Sequence, residues 1–278
     1  MRPGTLYVVA TPLGNLGDLS HRAAEVLQTV PVVAAEDTRR TRGLLTHLGA
    51  RPTLLSFHAH SADHRTNSLL DILRSGRDIA MVSDAGTPTV SDPGAELVSS
   101  ARAAGVSVVP IPGPSAVAAA LSASGLAADR YLFLGFMPRK GRERIRLLTR
   151  AAIEEWSVVF YEAPSRLVSL LEDLTRLTGA DRRAVVAREL TKLHEEVRSG
   201  TMGELVDHYT VLPPKGELTI VLQGTGMAPP EPDRTEEAVE QAALLLAEGL
   251  SRREVVRRLT ESLGLRRNEA YKLVMELP

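Results

Sequence analysis

The chain has 278 residues, 44% of them hydrophobic, 24% charged and none cysteine, with a formal net charge of −1 at pH 7. That is long for one domain and comfortable for two, with ample apolar material for a core. The composition excludes thiol nucleophiles and zinc–thiolate sites, the overall charge is silent about nucleic acid, and no apolar run approaches the about 18 residues of a membrane span.

The start, Met1-Arg2-Pro3-Gly4, leads into a strand-like run without a signal-peptide core, so a soluble cytoplasmic protein is expected. Over about the first 110 residues, short β-branched runs alternate with helical patterns, the mark of parallel strands joined by crossover helices. Strands are expected at 6–10, 32–35, 53–55, 79–82 and 106–109, and helices at about 20–28, 39–48, 63–74 and 94–104. Most of these strands are continuously apolar, which suits a sheet covered on both faces. Pro110-Ile111-Pro112-Gly113-Pro114 excludes helix, and a second α/β pattern follows it. The expected division is therefore an N-terminal α/β domain over 1–111 and a C-terminal one over 112–225. Strands of the second are expected at 131–135, 157–161, 184–188 and 217–223, with helices near 142–152 and 165–178. A Gly- and Pro-rich linker over 224–233 precedes a helical tail, 234–278, with helices at 236–249, 251–263 and 267–277. Ser251 and Glu254 fit a capping box, Gly249 and Gly264 fit helix stops, and the three short helices resemble a helix-turn-helix unit.

Four unusual loops fall at expected strand ends. Ser83-Asp84-Ala85-Gly86-Thr87-Pro88, followed by Asp92-Pro93-Gly94, combines an acid, a glycine and a proline at a strand exit, where backbone N–H groups can approach a ligand while a carboxylate faces the same crevice. Thr11-Pro12-Leu13-Gly14-Asn15-Leu16-Gly17-Asp18 stands where dinucleotide folds keep G-x-G-x-x-G. Pro12 replaces the first glycine, so the match to a nicotinamide dehydrogenase is poor even with Glu36 and Asp37 about 20 residues on. Glu36-Asp37-Thr38-Arg39-Arg40-Thr41-Arg42 opens a helix; it reads either as a cap with a solvated basic face or as a carboxylate and arginine set for a phosphate-bearing substrate with a proton to remove. His58-Ala59-His60-Ser61-Ala62-Asp63-His64 has one residue too many for the H-x-H-x-D-H of two-metal hydrolases, and the chain offers no second His-plus-carboxylate cluster, so no metal site is expected and Asp63 reads as a helix cap beside a polar His58.

Charge is uneven along the chain. From Arg130 to Arg150 there are seven basic residues against Glu143 alone, and from Leu250 to Pro278 seven basic against four acidic. Each run reads as a solvated face or as a phosphate-backbone groove, and the lack of interleaved aromatics argues against a single-strand stacking platform as the main mode.

In fixed order, Thr11-Pro12-Leu13-Gly14-Asn15-Leu16, Ala35-Glu36-Asp37-Thr38-Arg39, Ser83 to Pro88, Pro112-Gly113-Pro114-Ser115-Ala116 and Glu189-Leu190-Thr191-Lys192 resemble one family. It is the branch of the tetrapyrrole methylase superfamily that methylates small-subunit ribosomal RNA. The likeness runs from about Leu6 to Gln223 and includes Gly135-Phe136, Tyr161-Glu162 and Gly216-Glu217. It implies two α/β domains of tetrapyrrole methylase type with a cofactor cleft between them plus the small helical unit, S-adenosylmethionine as cofactor, and methyl transfer to the ribose 2′-hydroxyl of a cytidine in the decoding region of 16S rRNA. It also implies a homodimer; no membrane partner is expected, because no apolar run is long enough to span one. By resemblance the cofactor residues are Pro12, Asp84, Ala85, Gly86, Thr87, Pro88, Pro112, Gly113, Ser115, Ala116, Phe133, Tyr161, Glu162, Ala163, Gly216, Glu217 and Leu218. The segment matching 84–88 lies against the methionine portion, that matching 112–116 closes the other side, and those matching 133–136, 161–163 and 216–218 surround the adenosine. Tetrapyrrole-modifying members have Gly-Asp-Pro where Ser83-Asp84-Ala85 stands, a departure that favours RNA over a corrin or porphyrin acceptor.

Methyl transfer from a sulfonium is an in-line displacement that needs alignment rather than covalent participation. A ribose hydroxyl is a poor nucleophile near neutral pH, so a base or a cation near its oxygen should help. Asp37, Glu36, His58 or Asp84 is suited to take the proton and Arg39 or Lys192 to lower its pKa, with Asp37 and Arg39 expected nearest the ribose. The tail is expected to grip rRNA phosphates. A small-molecule tetrapyrrole methylase and a non-catalytic RNA-binding module remain as other readings.

Overall fold

A computed structural model describes residues 2–57, 62–226, 234–263 and 267–277. The chain divides into two compact units, Met1–Gly226 and Met227–Pro278.

The larger unit contains two five-stranded sheets. The first is built from β1 (Thr5–Val9), β2 (Val32–Ala35), β3 (Thr53–Ser56), β4 (Ile79–Val82) and β5 (Ser107–Ile111), in the order β3-β2-β4-β1-β5 with every pairing parallel. Four helices connect them: α1 (His21–Thr29), α2 (Thr38–His47), α3 (Ala62–Arg74) and α4 (Ala95–Ala103). Strand alternation divides the core between the two faces. Val32 and Ala34 of β2 join Leu69, Leu73 and Leu97 of α3 and α4, whereas Val33 and Ala35 join Ala23, Leu27, Leu44 and Leu45 of α1 and α2. Covered on both sides, these strands have no polar face, which is why they read as continuous apolar runs.

After β5 the chain leaves for the second sheet through α5 (Ala116–Ser124), whose Val117, Ala120 and Leu121 pack on Val159, Val185 and Val221. That sheet runs β6 (Tyr131–Phe136), β7 (Ser157–Glu162), β10 (Leu218–Leu222), β8 (Arg183–Arg188), β9 (Glu196–Thr201). β6 and β7 are parallel and the remaining pairings antiparallel. Its other face carries α6 (Arg142–Ile153), α7 (Leu167–Thr178) and α8 (Met202–Val211), which bury Leu148, Leu170, Leu174, Leu205 and Tyr209 against Val158, Phe160, Val186 and Ile220.

Three of these elements were not expected. α5 is almost uniformly small and apolar, so it lacks a helical period. β9 is a polar edge strand. α8 mixes β-branched and aromatic residues, and it is started by a capping box in which Thr201 Oγ1 accepts from the Glu204 N–H (3.2 Å) and Glu204 Oε2 from the Thr201 N–H (2.8 Å).

In the smaller unit α9 (Arg234–Ala247), α10 (Arg252–Leu263) and α11 (Arg267–Glu276) close on a core of Ala242, Leu245, Val255, Val256, Leu259, Ala270 and Val274. Ser251 caps α10: its Oγ accepts from the Glu254 N–H (3.4 Å) and donates to Glu254 Oε2 (3.1 Å). Gly249, in the left-handed region at φ +86°, ends the turn after α9. Among the described residues no helix is long and apolar enough to cross a membrane.

Candidate active site

Four loops leave the carboxyl edge of the first sheet where β4 inserts between β1 and β2, a switch point at which open α/β sheets take ligands. The β4 exit is tied to the β1 exit by a two-way bridge: Thr11 and Gly86 exchange N–H···O=C bonds of 2.9 Å each. Thr11 Oγ1 donates to the Ser83 carbonyl (3.2 Å), and Thr87 Oγ1 donates to the Pro114 carbonyl (3.1 Å) in the β5 exit. Asp84 ties in the β2 exit, its Oδ1 accepting from the Asp37 N–H (2.8 Å) and its Oδ2 lying 3.8 Å from Arg40 Nε. Beyond Pro88 the loop holds Thr89 and Ser91 at φ +73° and +64°, conformations that cost side-chain-bearing residues free energy. Gly135, in β6, lies where the second sheet meets this loop, its φ of +63° favouring glycine and a Cβ there standing 2.8 Å from Ser91 Oγ.

Between these loops and the edge of the second sheet lies a cavity of about 440 Å³. That is within the range of about 300–1,000 Å³ usual for small-molecule sites. The first sheet supplies Leu13, Glu36, Arg40, Asp84 to Thr87, Val90 and Asp92, the start of α5 supplies Ser115 and Ala116, and the second sheet supplies Phe136, Tyr161 to Pro164 and Gly216 to Thr219. Tyr161 anchors the aromatic side, with Phe133 edge-on behind it (5.0 Å between centroids) and Phe136 tilted against it (5.4 Å). Burial and the neighbouring Asp92 push the Tyr161 hydroxyl up to about 12, so it stays protonated. Glu162 is buried; its Oε1 accepts from the Ala163 N–H (2.8 Å) and pairs with Arg166, while Oε2 has no hydrogen-bond partner.

Three carboxylates share one wall, and their proximity changes how they ionise. Burial raises the pKa of Glu36, helped by Asp92 and Asp84, and burial raises that of Asp92, helped by Asp84. Asp37 is the opposite case. The hydrogen bonds it accepts from the Arg39 side chain (3.1 and 2.8 Å) and N–H (2.8 Å) hold its carboxyl at about 2, and neither residue is part of the cavity lining.

Lys192 belongs to a clamp beside the cavity. Its Nζ donates to Glu189 Oε1 and Glu217 Oε2, 2.9 Å each, and these bonds outweigh burial and leave its pKa raised. Glu189 Oε1 also accepts from the Glu217 N–H (2.9 Å), so close to Gly216 that a Cβ there would collide with the carboxylate. A Cβ at Gly14 would likewise collide with the Lys192 stem, and the Asn15 N–H donates to Thr191 Oγ1 (3.2 Å), so the β1 exit loop rests on this clamp.

Of the expected cofactor residues, Asp84, Ala85, Gly86, Thr87, Ser115, Ala116, Tyr161, Glu162, Ala163, Gly216, Glu217 and Leu218 line the cavity. Pro12, Pro88, Pro112, Gly113 and Phe133 do not; Gly113 instead lets the β5 exit pack on Ala10, where a Cβ would find the Ala10 methyl at 3.0 Å. Asp37, Arg39 and Lys192 are off the lining, and His58 lies outside the described residues. Leu13, Arg40, Val90, Asp92, Pro164 and Thr219 were not singled out as site residues. Asp92 had a visible signal in Asp92-Pro93-Gly94, whereas Thr219 sits mid-strand and shows none. The basic run is less free than its charge count: Arg144 pairs with Asp173 of α7, Arg146 with Glu143 and Arg150 with Glu154.

The sequence pattern of the tetrapyrrole (corrin/porphyrin) methylases matches residues 5–206. The chain is similar to a ribosomal RNA small subunit methyltransferase I from Synechocystis sp., at 47% identity covering 99% of this chain and 98% of the relative. One from Xylella fastidiosa is 51% identical over 80% of this chain and 82% of its own. Among solved structures, the uroporphyrin-III C-methyltransferase of Thermus thermophilus complexed with S-adenosylhomocysteine shares the fold, with a TM-score of 0.57 at 21% identity over 78% of this chain and 97% of that one. The chain belongs to the tetrapyrrole methylase family and, within it, to the group of the ribosomal RNA small subunit methyltransferases I.

Proposed function

We propose that this protein is an S-adenosylmethionine-dependent methyltransferase that methylates the ribose 2′-hydroxyl of a cytidine in the decoding region of 16S rRNA, in the cytoplasm. The observation that carries the reading is the cavity between the β4 exit loop and the second sheet, with carboxylates on one wall and Tyr161 on the other. These residue types fit the cofactor: Glu36, Asp84 and Asp92 complement its sulfonium and ammonium charges, and the unpartnered Glu162 Oε2 is an acceptor for one of its N–H or O–H donors. When bound, S-adenosylmethionine supplies an electrophilic methyl group.

The chain's own work is alignment and proton removal. Glu36 suits the proton-accepting role better than Asp37, because it lines the cavity with a pKa raised toward the working range while Asp37 is held at about 2 by Arg39. Arg40, in the lining and near Asp84, is the cation available to a developing alkoxide. Asp37 and Arg39 then cap α2 and orient the Glu36–Asp84 corner, and Lys192 holds Glu217 at the cavity edge. The residues given to the adenosine and methionine portions by resemblance keep those roles where they line the cavity. Exposed Leu193, Val211 and Leu212 support the homodimer, which light scattering would test.

A porphyrin-like acceptor is not favoured, since relatives matched over nearly their whole length carry the ribosomal RNA name. The test is transfer of labelled methyl from S-adenosylmethionine to small ribosomal subunits lacking the modification, followed by mapping. Label on a decoding-region cytidine ribose is expected; cofactor binding without transfer to rRNA would overturn the assignment.

A further inference from the structure

The three-helix unit has a second concavity, of about 900 Å³, between one face of α10 and one face of α11. Its floor is the apolar edge of the small core, Val256 and Val274. On the α11 side stand Tyr271 and Met275, 57% and 49% exposed although both are large and apolar in body. On the α10 side stand Arg253 and Arg257, one helical turn apart, and neither has an ion pair among the described residues.

The groove's other charged groups are Arg252, Glu254 and Glu261. The Arg252 guanidinium donates to the Leu277 carbonyl (3.2 Å) and touches Met275 Sδ (3.9 Å), which pins the end of α11. Glu254 accepts from Ser251 at the helix start, and Glu261 lines the groove one helical turn beyond Arg257. What remains accessible is the Tyr271 phenol ring opposite two guanidinium groups that have no ion pair among the described residues. That pairing suits a planar base joined to a phosphate and does not suit an acidic peptide, which would leave the ring without a planar partner.

We propose that this groove takes one unpaired nucleotide of the RNA substrate, its base against Tyr271 and its phosphate between Arg253 and Arg257. The proposal rests on the rRNA reading above and extends it to a contact point outside the catalytic cavity. It adds one stacking contact to the expectation from the linear sequence, which set aside a stacking platform only as the main mode, since Tyr271 and the two arginines come together only when α11 packs on α10.

The test uses the full chain and fluorescence anisotropy with two labelled probes, a single-stranded RNA dodecamer and the same sequence as a blunt duplex, with S-adenosylmethionine affinity measured in parallel. Tyr271→Ala is expected to weaken binding of the single strand about 10-fold, the effect of losing one stacked base, and Tyr271→Phe to restore it. Replacing both Arg253 and Arg257 with Gln is expected to lower the salt slope on the single strand by about 0.7, as for one lost phosphate contact. S-adenosylmethionine affinity should be unchanged in each variant, which also reports that the larger unit is intact. Single-strand binding unchanged by Tyr271→Ala, or equal losses on single strand and duplex, would overturn the proposal. So would variants that bind protein-free RNA normally but lose affinity for assembled subunits, because the groove would then face a ribosomal protein. Failure of the enzymatic reading is separable: it would appear as absence of methyl transfer with the Tyr271 effect on RNA intact.

Discussion

Asp92 and Glu36 face the cavity with their ionisation opposed by burial and by Asp84. For a group whose folded pKa lies above its unfolded one, ionisation destabilises the fold; that cost is absent below the unfolded pKa and complete above the folded one. Asp92→Asn keeps an acceptor for Ser83 and is therefore expected to raise the Tm of the free protein at neutral pH by a few degrees, a gain that disappears as pH falls through the carboxylate range. The same change should weaken S-adenosylmethionine, whose cations the carboxylate faces; an unaltered Kd by titration calorimetry would dissociate Asp92 from the cofactor. Gly216 makes a second, steric prediction. It combines φ +87° with direct contact to Glu189, so Gly216→Ala must both strain the backbone and displace the carboxylate that holds Lys192. A loss of about 2–3 kcal/mol in urea unfolding is expected. Gly105→Ala, at φ +71° with open space around it, isolates the strain and should cost about 1 kcal/mol; equal losses at the two sites would show that the Glu189 contact is unimportant.

The basic run on α6 shows why a charge count along the chain misjudges a surface. Asp173, which neutralises Arg144, is 29 residues away and reaches it only because α7 packs beside α6. Arg144 is mostly buried there and also donates to the Pro138 carbonyl (3.1 Å). Arg144→Ala is accordingly expected to cost about 1–3 kcal/mol of stability, because Asp173 keeps only the exposed Arg176 and the Pro138 carbonyl loses its donor, and to change RNA affinity little. Arg142→Gln, on the exposed side, should reverse that pattern, with unchanged Tm and a smaller salt slope for RNA. Legibility of the elements followed the same division. β2 and β4 were readable because strands buried on both faces are continuously apolar, and α7 because its leucines recur at helical spacing. α5 and β9 were not, because a small-residue helix and a polar edge strand have no period to read, and in α8 the β-branched Val206, Thr210 and Val211 obscure the helical spacing of the buried Met202, Leu205 and Tyr209.

For the molecule as a whole, two compact units with separate cores lead to an expectation about unfolding. Calorimetry should resolve two transitions, and S-adenosylmethionine at a hundred times its Kd should add about 2.7 kcal/mol to the one belonging to Met1–Gly226 alone. One transition shifted as a unit would show that they unfold together. Residue order alone determined the α/β alternation, the loops at strand ends, the helical tail and the family, because apolar periodicity and local loop chemistry are written in consecutive residues. Tertiary structure decided which of those loops meet. Asp37 and Lys192 have the residue types of catalytic groups, yet Arg39 holds one and Glu189 with Glu217 holds the other, while Glu36, Arg40 and Asp92 occupy the cavity instead. The same holds for Tyr271 beside Arg253 and Arg257. Asp37 is held by a neighbour two residues on, but Asp84 and Asp92 beside Glu36, and Glu217 beside Lys192, lie distant along the chain and are brought there by how helices and sheets pack.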